Sequence, residues 1–153
     1  MKYNLDFTTS YSQFYLFDKD KEGATDSPNF WSKPALESGL ALEKGVIGVG
    51  IASYDRVSLE VEIYDIAPPV LDFDKWDRII AGSIKIKTGY IQVLDCPNSE
   101  VQLDIKVEIG KYRVRVYGAN FASVVGDNGE DFYRIEIWHA PYEKRNVLKK
   151  YDK

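Results

Sequence analysis

One strictly alternating stretch, residues 111–117, constrains the fold of this chain more than any other part of the sequence. Successive side chains of a β-strand point to opposite faces of a sheet, so a period of two predicts one buried and one solvated face. The predicted buried face carries Tyr112, Val114 and Val116, and the predicted solvated face carries Lys111, Arg113, Arg115 and Tyr117. We therefore expect a central strand in a half-exposed sheet.

The residues that open this strand indicate a sandwich. Gly110, followed two residues later by Tyr112, is typical of a tyrosine corner, in which a tyrosine enters a central sandwich strand after a glycine turn. The chain has 153 residues, 44% hydrophobic and 29% charged, which suffices for a domain with its own core. We predict an all-β fold: a single-domain antiparallel β-sandwich of about eight strands spanning residues 1–153, with one short helix near residues 30–44.

A second alternating row lies in the predicted last long strand, Phe132 to Trp138, where Tyr133 begins the apolar face. Placed antiparallel beside the first strand, this strand brings Glu136 opposite Arg113 or Arg115. A cross-strand pair of opposite charges contributes about 0.2–1 kcal/mol. The two rows together predict the centre of one sheet.

Residues 30–44 form the segment with a helical pattern. Pro34 suits the first turn of a helix and Gly45 suits its end, while Gly39 weakens the interior. We therefore expect a short or split helix. Its predicted apolar stripe consists of Leu36, Leu40 and Leu42.

Three shorter patterns add local predictions. The aromatic run from Tyr11 to Phe17 predicts a strand. Gly48 and Gly50 alternate with branched residues, which predicts a strand with another backbone or a helix pressed against its glycine face. Thr88-Gly89 separates two strand patterns by two residues, which predicts a tight hairpin.

The charge and the cysteine content indicate the compartment and exclude some partners. A net charge of −4 gives no bulk attraction to nucleic acid or anionic lipid and suits a basic partner. No apolar run approaches the roughly 20 residues that cross a bilayer, and the first residues lack a signal-peptide core. The single cysteine, Cys96, agrees with a reducing compartment. We expect a cytoplasmic protein that binds neither nucleic acid nor membrane.

The sequence offers little for catalysis. Its one histidine, His139, follows the last predicted strand, and neither Cys96 nor any serine lies in a nucleophile motif. One histidine and one cysteine do not supply the three or four ligands of a zinc site. No phosphate-binding glycine loop is present. We therefore predict no catalytic residues, no metal and no cofactor.

One segment overlaps the first half of a calcium-binding loop. Residues 18–23 carry acids at the first, third and fifth loop positions and a glycine at the sixth, and Asp26 takes the ninth position. The twelfth position is Asn29 rather than a glutamate, and an aromatic strand rather than a helix precedes the segment. We interpret it as a solvated polar loop, with calcium binding as the alternative.

Surface recognition is the remaining route to a function. Three acidic loops, 18–26, 72–77 and 127–131, create a negative patch if they gather at one end of the sandwich, and such a patch attracts a cationic partner. Trp76 is a candidate aromatic anchor, although tryptophans at strand ends also close a sandwich core. The predicted binding residues are Asp18, Asp20, Asp26, Asp72, Asp74, Trp76, Asp77, Asp127, Glu130 and Asp131.

Parts of the chain resemble known bacterial proteins. Ser10–Phe14, running into Phe17–Asp20, resembles the start of the competence protein J family, and Val46–Val49 and Gly110–Tyr112 follow in a similar order. That resemblance implies a small inhibitor of a DNA-entry nuclease, but no inhibitory residue carries over by position. A second group, bacterial proteins without a known activity, is matched at Trp76-Asp77, Tyr112–Val116, Tyr133–Pro141 and Val147–Lys149.

We expect a non-catalytic binding protein, and three hypotheses follow. The first is an inhibitor or immunity-type partner of a basic protein such as a nuclease, which uses the acidic loops and an aromatic anchor. The second is a module that binds a small ligand or a carbohydrate through exposed aromatic residues, with or without calcium. The third is an enzyme whose chemistry the sequence does not reveal.

Overall fold

The computed structural model describes residues 1–19 and 29–152. Within these ranges lie eleven strands, two short 3₁₀ turns at Phe73–Lys75 and Phe121–Ser123, and one helix, α1, at Lys33–Ser38. The strands are β1 (Lys2–Thr8), β2 (Gln13–Asp18), β3 (Leu40–Glu43), β4 (Val46–Gly50), β5 (Arg56–Tyr64), β6 (Arg78–Ile86), β7 (Tyr90–Leu94), β8 (Val101–Lys106), β9 (Gly110–Ala119), β10 (Phe132–His139) and β11 (Asn146–Lys149).

The strands of the described residues form two sheets. The six-stranded sheet has the order β1-β5-β10-β9-β6-β11, and the five-stranded sheet has the order β3-β4-β2-β7-β8. Neighbouring strands are antiparallel except β5 and β10, which run parallel. The predicted all-β sandwich is confirmed, with more strands than the pattern indicated.

The core lies between the two sheets. Tyr112 on β9 and Tyr133 on β10 lead the two predicted inward rows, and their side chains are 2% and 0% exposed. Burying a large apolar side chain stabilises a fold by about 1.5–3 kcal/mol, so these rows and their partners supply most of the driving force. The five-stranded sheet contributes Phe14, Leu16, Ile47, Val49, Ile91 and Val93.

The tyrosine corner is confirmed. The hydroxyl group of Tyr112 donates a hydrogen bond of 2.6 Å to the backbone carbonyl of Glu108, four residues upstream. Gly110, between them, has a φ of 155°, a conformation that side-chain-bearing residues rarely adopt. The bond fixes the path by which the chain enters β9.

The prediction of a solvated outer face on the central strands is wrong. Arg113 is 5% exposed, Arg115 is 7% exposed and Tyr117 is 0% exposed. Two irregular segments cover this face. Arg113 donates to the backbone carbonyls of Glu143 and Lys144 at 2.7 and 3.0 Å, and Arg115 donates to the Pro68 carbonyl at 2.7 Å. The six-stranded sheet is therefore buried on both faces at its centre.

A buried ion network neutralises the charges of this outer face. Glu136 on β10 lies directly opposite Arg115 on β9, as the sequence predicted for one of the two arginines. Its Oε1 accepts from Arg115 Nε at 2.8 Å and from the Tyr117 hydroxyl at 2.6 Å, and its Oε2 accepts from Arg134 at 3.1 Å. Arg134 also pairs with Glu60 and Glu62 on β5. The network thus joins three adjacent strands.

The helix is shorter than the predicted segment. The Ser32 side chain caps its start, Pro34 occupies its first turn, and Gly39 ends it with a φ of 77°. A residue in this left-handed conformation commonly terminates a helix, and glycine adopts it without strain. Leu40 therefore begins β3 instead of continuing the predicted stripe. No helix among the described residues is long and apolar enough to cross a membrane.

The predicted hairpin at Thr88-Gly89 is wrong. β6 belongs to the six-stranded sheet and β7 to the five-stranded sheet, so the chain crosses from one layer to the other at this point. The Asp18 carboxylate holds the crossing by accepting from the backbone N–H groups of Lys87 and Thr88, each at 3.1 Å. The interpretation of the glycine strand is confirmed at Gly50, where a Cβ would meet the backbone of Gly39 at 3.5 Å, whereas at Gly48 the neighbour is the ring of Phe30, at 2.8 Å.

We predict that Glu136→Gln lowers the free energy of unfolding by about 3 kcal/mol, because it leaves Arg115 and Arg134 in a buried site without one carboxylate charge. The matched control is Glu143→Gln. The Glu143 side chain is 73% exposed and its ion pair with Arg113 is long, at 3.9 Å, so we expect a change within about 0.5 kcal/mol. Urea unfolding of both variants measures the difference. Equal effects would contradict the role given to the network.

Candidate binding surface

The described parts of the predicted acidic loops do not all lie at one end of the sandwich. Asp77 donates its backbone N–H to the Gly118 carbonyl, and Phe132 pairs with Ala119, so loops 72–77 and 127–131 lie together where β9 ends. Asp18 lies at the opposite end, beside the crossing that follows β6. Asp20 and Asp26 lie outside the described residues.

Three predicted binding carboxylates accept hydrogen bonds that hold parts of the fold together. Asp131 is 1% exposed, and its Oδ2 accepts from the Ser53 backbone N–H at 3.0 Å and from the Tyr133 hydroxyl at 2.7 Å. Asp77 accepts from the Phe121 backbone N–H at 2.9 Å, and Asp18 holds the layer crossing. Each carboxylate satisfies backbone donors that have no strand partner. The exposed acids of the two gathered loops are Asp72, Asp74, Asp127 and Glu130.

Trp76 is a core residue and not an exposed anchor. It is 9% exposed, its Nε1 donates to the Leu71 carbonyl at 2.9 Å, and its ring lies 4.9 Å from the ring of Tyr117. Trp138 is also buried, at 8% exposure, and lies under the guanidinium of Arg115. These two tryptophans close the sandwich, which was one of the two interpretations of the aromatic content.

The candidate metal and nucleophile residues show structural roles. The described residues contain no group of three or more histidine, cysteine or acidic side chains that could hold a metal ion. Of the acids in the calcium-like segment, Asp18 is described, and both its oxygens accept hydrogen bonds from the layer crossing. Cys96 is 5% exposed, and burial raises the pKa of its thiol. His139 Nε2 lies 3.0 Å from the Tyr112 hydroxyl at the tyrosine corner.

A large cavity opens at the end where the two acidic loops gather. Its volume is about 770 Å³, and Arg78, the first residue of β6, lies in its wall beside Ile51 and Phe121. Arg78 Nη2 donates to the Gly50 carbonyl at 2.6 Å, which links the six-stranded sheet to β4 of the five-stranded sheet. Its guanidinium carbon lies 5.2 Å from the centre of the Phe121 ring. Desolvation in this setting lowers the pKa of Arg78.

A second cavity of about 470 Å³ adjoins the first and shares Arg78 and Ile51 with it. Tyr11 and Leu36 line this cavity and are 62% and 67% exposed. The Tyr11 ring meets the half-exposed ring of Tyr54 edge to face at 6.0 Å. We name the surface formed by Tyr11, Leu36, Ile51, Tyr54 and Arg78 the Arg78 face. Tyrosine and arginine are the residue types that most often carry binding energy at protein interfaces.

Backbone strain accompanies the exposed position of Tyr11. Tyr11 and Ser12 have φ angles of 61° and 57°, in the left-handed region that disfavours residues with a Cβ by about 1–2 kcal/mol each. The turn is held because Ser12 donates to the Tyr54 carbonyl and accepts from the Ile51 N–H, both at 2.9 Å. β2 therefore begins at Gln13, two residues later than predicted. Strain of this kind is common at binding sites.

Sequence patterns missed the main members of the Arg78 face. Arg78 precedes a strand pattern and carries no motif, and Tyr11 belongs to an aromatic run that reads as a continuous strand. The exposure of Leu36 follows from the early end of α1 at Gly39. The one available signal was indirect, since Gly39 was predicted to weaken the helix.

Comparison with known proteins identifies the fold. No protein-family model matches the sequence, and no curated protein matches it. The crystal structure of ComJ from Bacillus subtilis, described as an inhibitor of the DNA-degrading activity of NucA, aligns with a TM-score of 0.71 over 92% of this chain and 98% of ComJ, at 16% identity. A protein described as crocagin biosynthetic gene J aligns with a TM-score of 0.54 over 92% and 99% of the two chains, at 14% identity. The chain has the fold of ComJ.

The environment of Tyr117 predicts a specific pH dependence. Burial, together with the hydrogen bond to Glu136, raises the pKa of Tyr117 to about 12. The unfolded chain releases this proton near pH 10, so the stabilisation is present below about pH 10 and is lost as the pH rises toward about 12. Between about pH 9 and about pH 11, we expect the native chain to lose about 1 kcal/mol more stability than Tyr117→Phe.

Urea unfolding of both proteins across this pH range provides the measurement. The phenylalanine variant also lacks the hydrogen bond, so its stability at neutral pH is lower, and the difference in pH dependence is the relevant quantity. Parallel pH profiles for the two proteins would show that the folded chain does not hold the Tyr117 proton.

Proposed function

We propose that this chain is a non-catalytic inhibitor protein and that its target is a nuclease. The observation that carries the proposal is the likeness to ComJ, which extends over 92% of this chain with a TM-score of 0.71. ComJ is described as an inhibitor of DNA degradation by NucA. The resemblance at Ser10–Phe14 points in the same direction from the sequence.

The Arg78 face supplies the contacts that such an inhibitor needs. Tyr11 and Leu36 project from the rim of a cavity and keep most of their surface in water. An exposed aromatic and an exposed aliphatic side chain beside a concave surface favour association with another protein. The centre of the outer face of the six-stranded sheet is instead covered by the chain's own segments. The end of the sandwich that carries loops 72–77 and 127–131 is therefore the better contact surface.

Charge around this end favours a basic target. Glu37 lines the larger cavity, and Asp127 and Glu130 are exposed on the adjoining loop. A protein that degrades DNA needs positive charge where it holds the phosphate backbone. Carboxylates presented at that surface attract the enzyme over a distance and compete with phosphate. We therefore propose a basic partner, bound through the end that carries two of the three acidic loops.

The direct test is the rate of DNA degradation by NucA, and by NucA-like nucleases, as this chain is added. We expect inhibition that saturates near one chain per enzyme. Leu36→Glu, which places a charge in the contact, should weaken inhibition by about tenfold or more. Ile109→Glu is the matched control, because both residues are 67% exposed and Ile109 lies at the opposite end of the sandwich.

Two controls complete the test. Thermal unfolding must show that both variants fold as the parent chain does. Inhibition should also weaken at about 0.5 M salt, where exposed charges are strongly screened. Undiminished DNA degradation at a large molar excess of this chain overturns the proposal, and equal inhibition by the two variants removes the Arg78 face from it.

A further inference from the structure

Arg78, which is partly buried, differs from the three buried arginines of the described chain. Arg115 and Arg134 pair with carboxylates at 2.6–3.1 Å, and Arg113 is held by two carbonyls and by Glu143. Among the described residues, Arg78 and the partly buried Arg145 have no carboxylate partner, and of these two Arg78 lines the large cavity. Asp131, the buried acid at the same end, bonds Ser53 and Tyr133 instead. Removing a cation even partly from water without a neighbouring anion costs free energy.

Part of the hydrogen-bonding capacity of Arg78 is not met within the described chain. A guanidinium has five N–H donors, and the Nη2 bond to the Gly50 carbonyl employs one of them. The Nε group is fully buried and has no partner in the described part of the chain. Unmet donors on a charged group favour an acceptor that carries a negative charge, and the planar guanidinium fits a carboxylate.

The cavity beside Arg78 indicates the rest of such a ligand. Its wall includes Ile51, Phe121 and Val147, which are apolar, and its rim carries Lys150 as a second cation and Glu37 as an acid. A volume of about 770 Å³ is in the range of small-molecule sites. An apolar wall with one partly buried cation suits an organic molecule that has an apolar body and one anionic group.

We propose that the cavity beside Arg78 is a binding site for a small organic carboxylate with an apolar body. The carboxylate pairs with the guanidinium of Arg78, and the apolar body packs against Ile51 and Phe121. Because Arg78 is partly buried, solvent screens such a charge pair less here than on the open surface. This site does not depend on the proposed inhibition, since its test contains no nuclease.

Arg78 also has a structural role that the test must separate from binding. The bond to Gly50 and the contact with Phe121 link the two sheets, so replacing Arg78 lowers stability whether or not a ligand binds. A comparison of two ligands on the unaltered protein avoids this difficulty. Phenylacetate and phenylacetamide share shape and size, and phenylacetate alone carries a carboxylate charge at neutral pH.

The measurement is a titration of the isotope-labelled chain followed by backbone amide NMR signals. We expect phenylacetate to bind saturably, with shifts of the amide signals of Ile51, Ala52, Ala122 and Gly126. We expect the affinity of phenylacetamide to be lower by about tenfold or more. Inorganic phosphate is the third ligand, and we expect it to bind more weakly than phenylacetate because it has no apolar body. The proposal is overturned if phenylacetate and phenylacetamide bind equally well, or if phosphate binds as tightly as phenylacetate. It is also overturned if the shifts are confined to other residues or if binding does not saturate.

Variants give the second arm of the test. Arg78→Met should abolish the preference for phenylacetate over phenylacetamide, whereas Arg56→Met, at the exposed arginine of β5, should keep it. A folded Arg78→Met variant that retains the preference overturns the proposal. If this variant does not fold, the acid and amide comparison on the unaltered chain decides.

Discussion

The buried network around Glu136 is the interaction on which the rest of this structure depends. The Glu136 carboxylate accepts hydrogen bonds from Arg115, Arg134 and the Tyr117 hydroxyl, on strands that are hydrogen-bonded neighbours. A shift of β10 by one residue would leave these charges buried without partners, so the network favours a single register. Segments at Pro68 and Glu143 then cover the arginines through backbone carbonyls. Both faces of the central sheet are thereby fixed, and the loop ends carry the exposed cavities and side chains.

The burial of the inner face of the six-stranded sheet was predictable from sequence, and the burial of its outer face was not. Alternation at Tyr112 and Tyr133 reports apolar side chains that must leave water, and the burial of both rows followed. Arg113 and Arg115, on the outer face of β9, give the same alternating sequence pattern whether they face water or a covering segment. The distant carbonyls that receive Arg113 and Arg115 have no local sequence signal. The pairing of Glu136 was predictable because strand register follows from the same alternation.

The candidate site was harder to predict for a related reason. Acidic side chains look alike in sequence whether they face water or accept hydrogen bonds from backbone, and Asp18 and Asp131 do the second. The layer crossing at Thr88 also places Asp18 at the end opposite to the other two loops. Arg78 and Tyr11 gain their positions from the meeting of two sheets and a strained turn. Such features arise from tertiary structure alone.

We propose that the sandwich presents the Arg78 face to a partner nuclease. Backbone hydrogen exchange of the chain, free and mixed with NucA, tests this most directly, because protection reports which amides the partner covers. We expect slower exchange at residues 11–13, 51–54 and 121–128 in the complex, with little change at residues 107–110. Protection confined to residues 107–110 or to the β1 edge, with residues 11–13 and 51–54 unchanged, would contradict it.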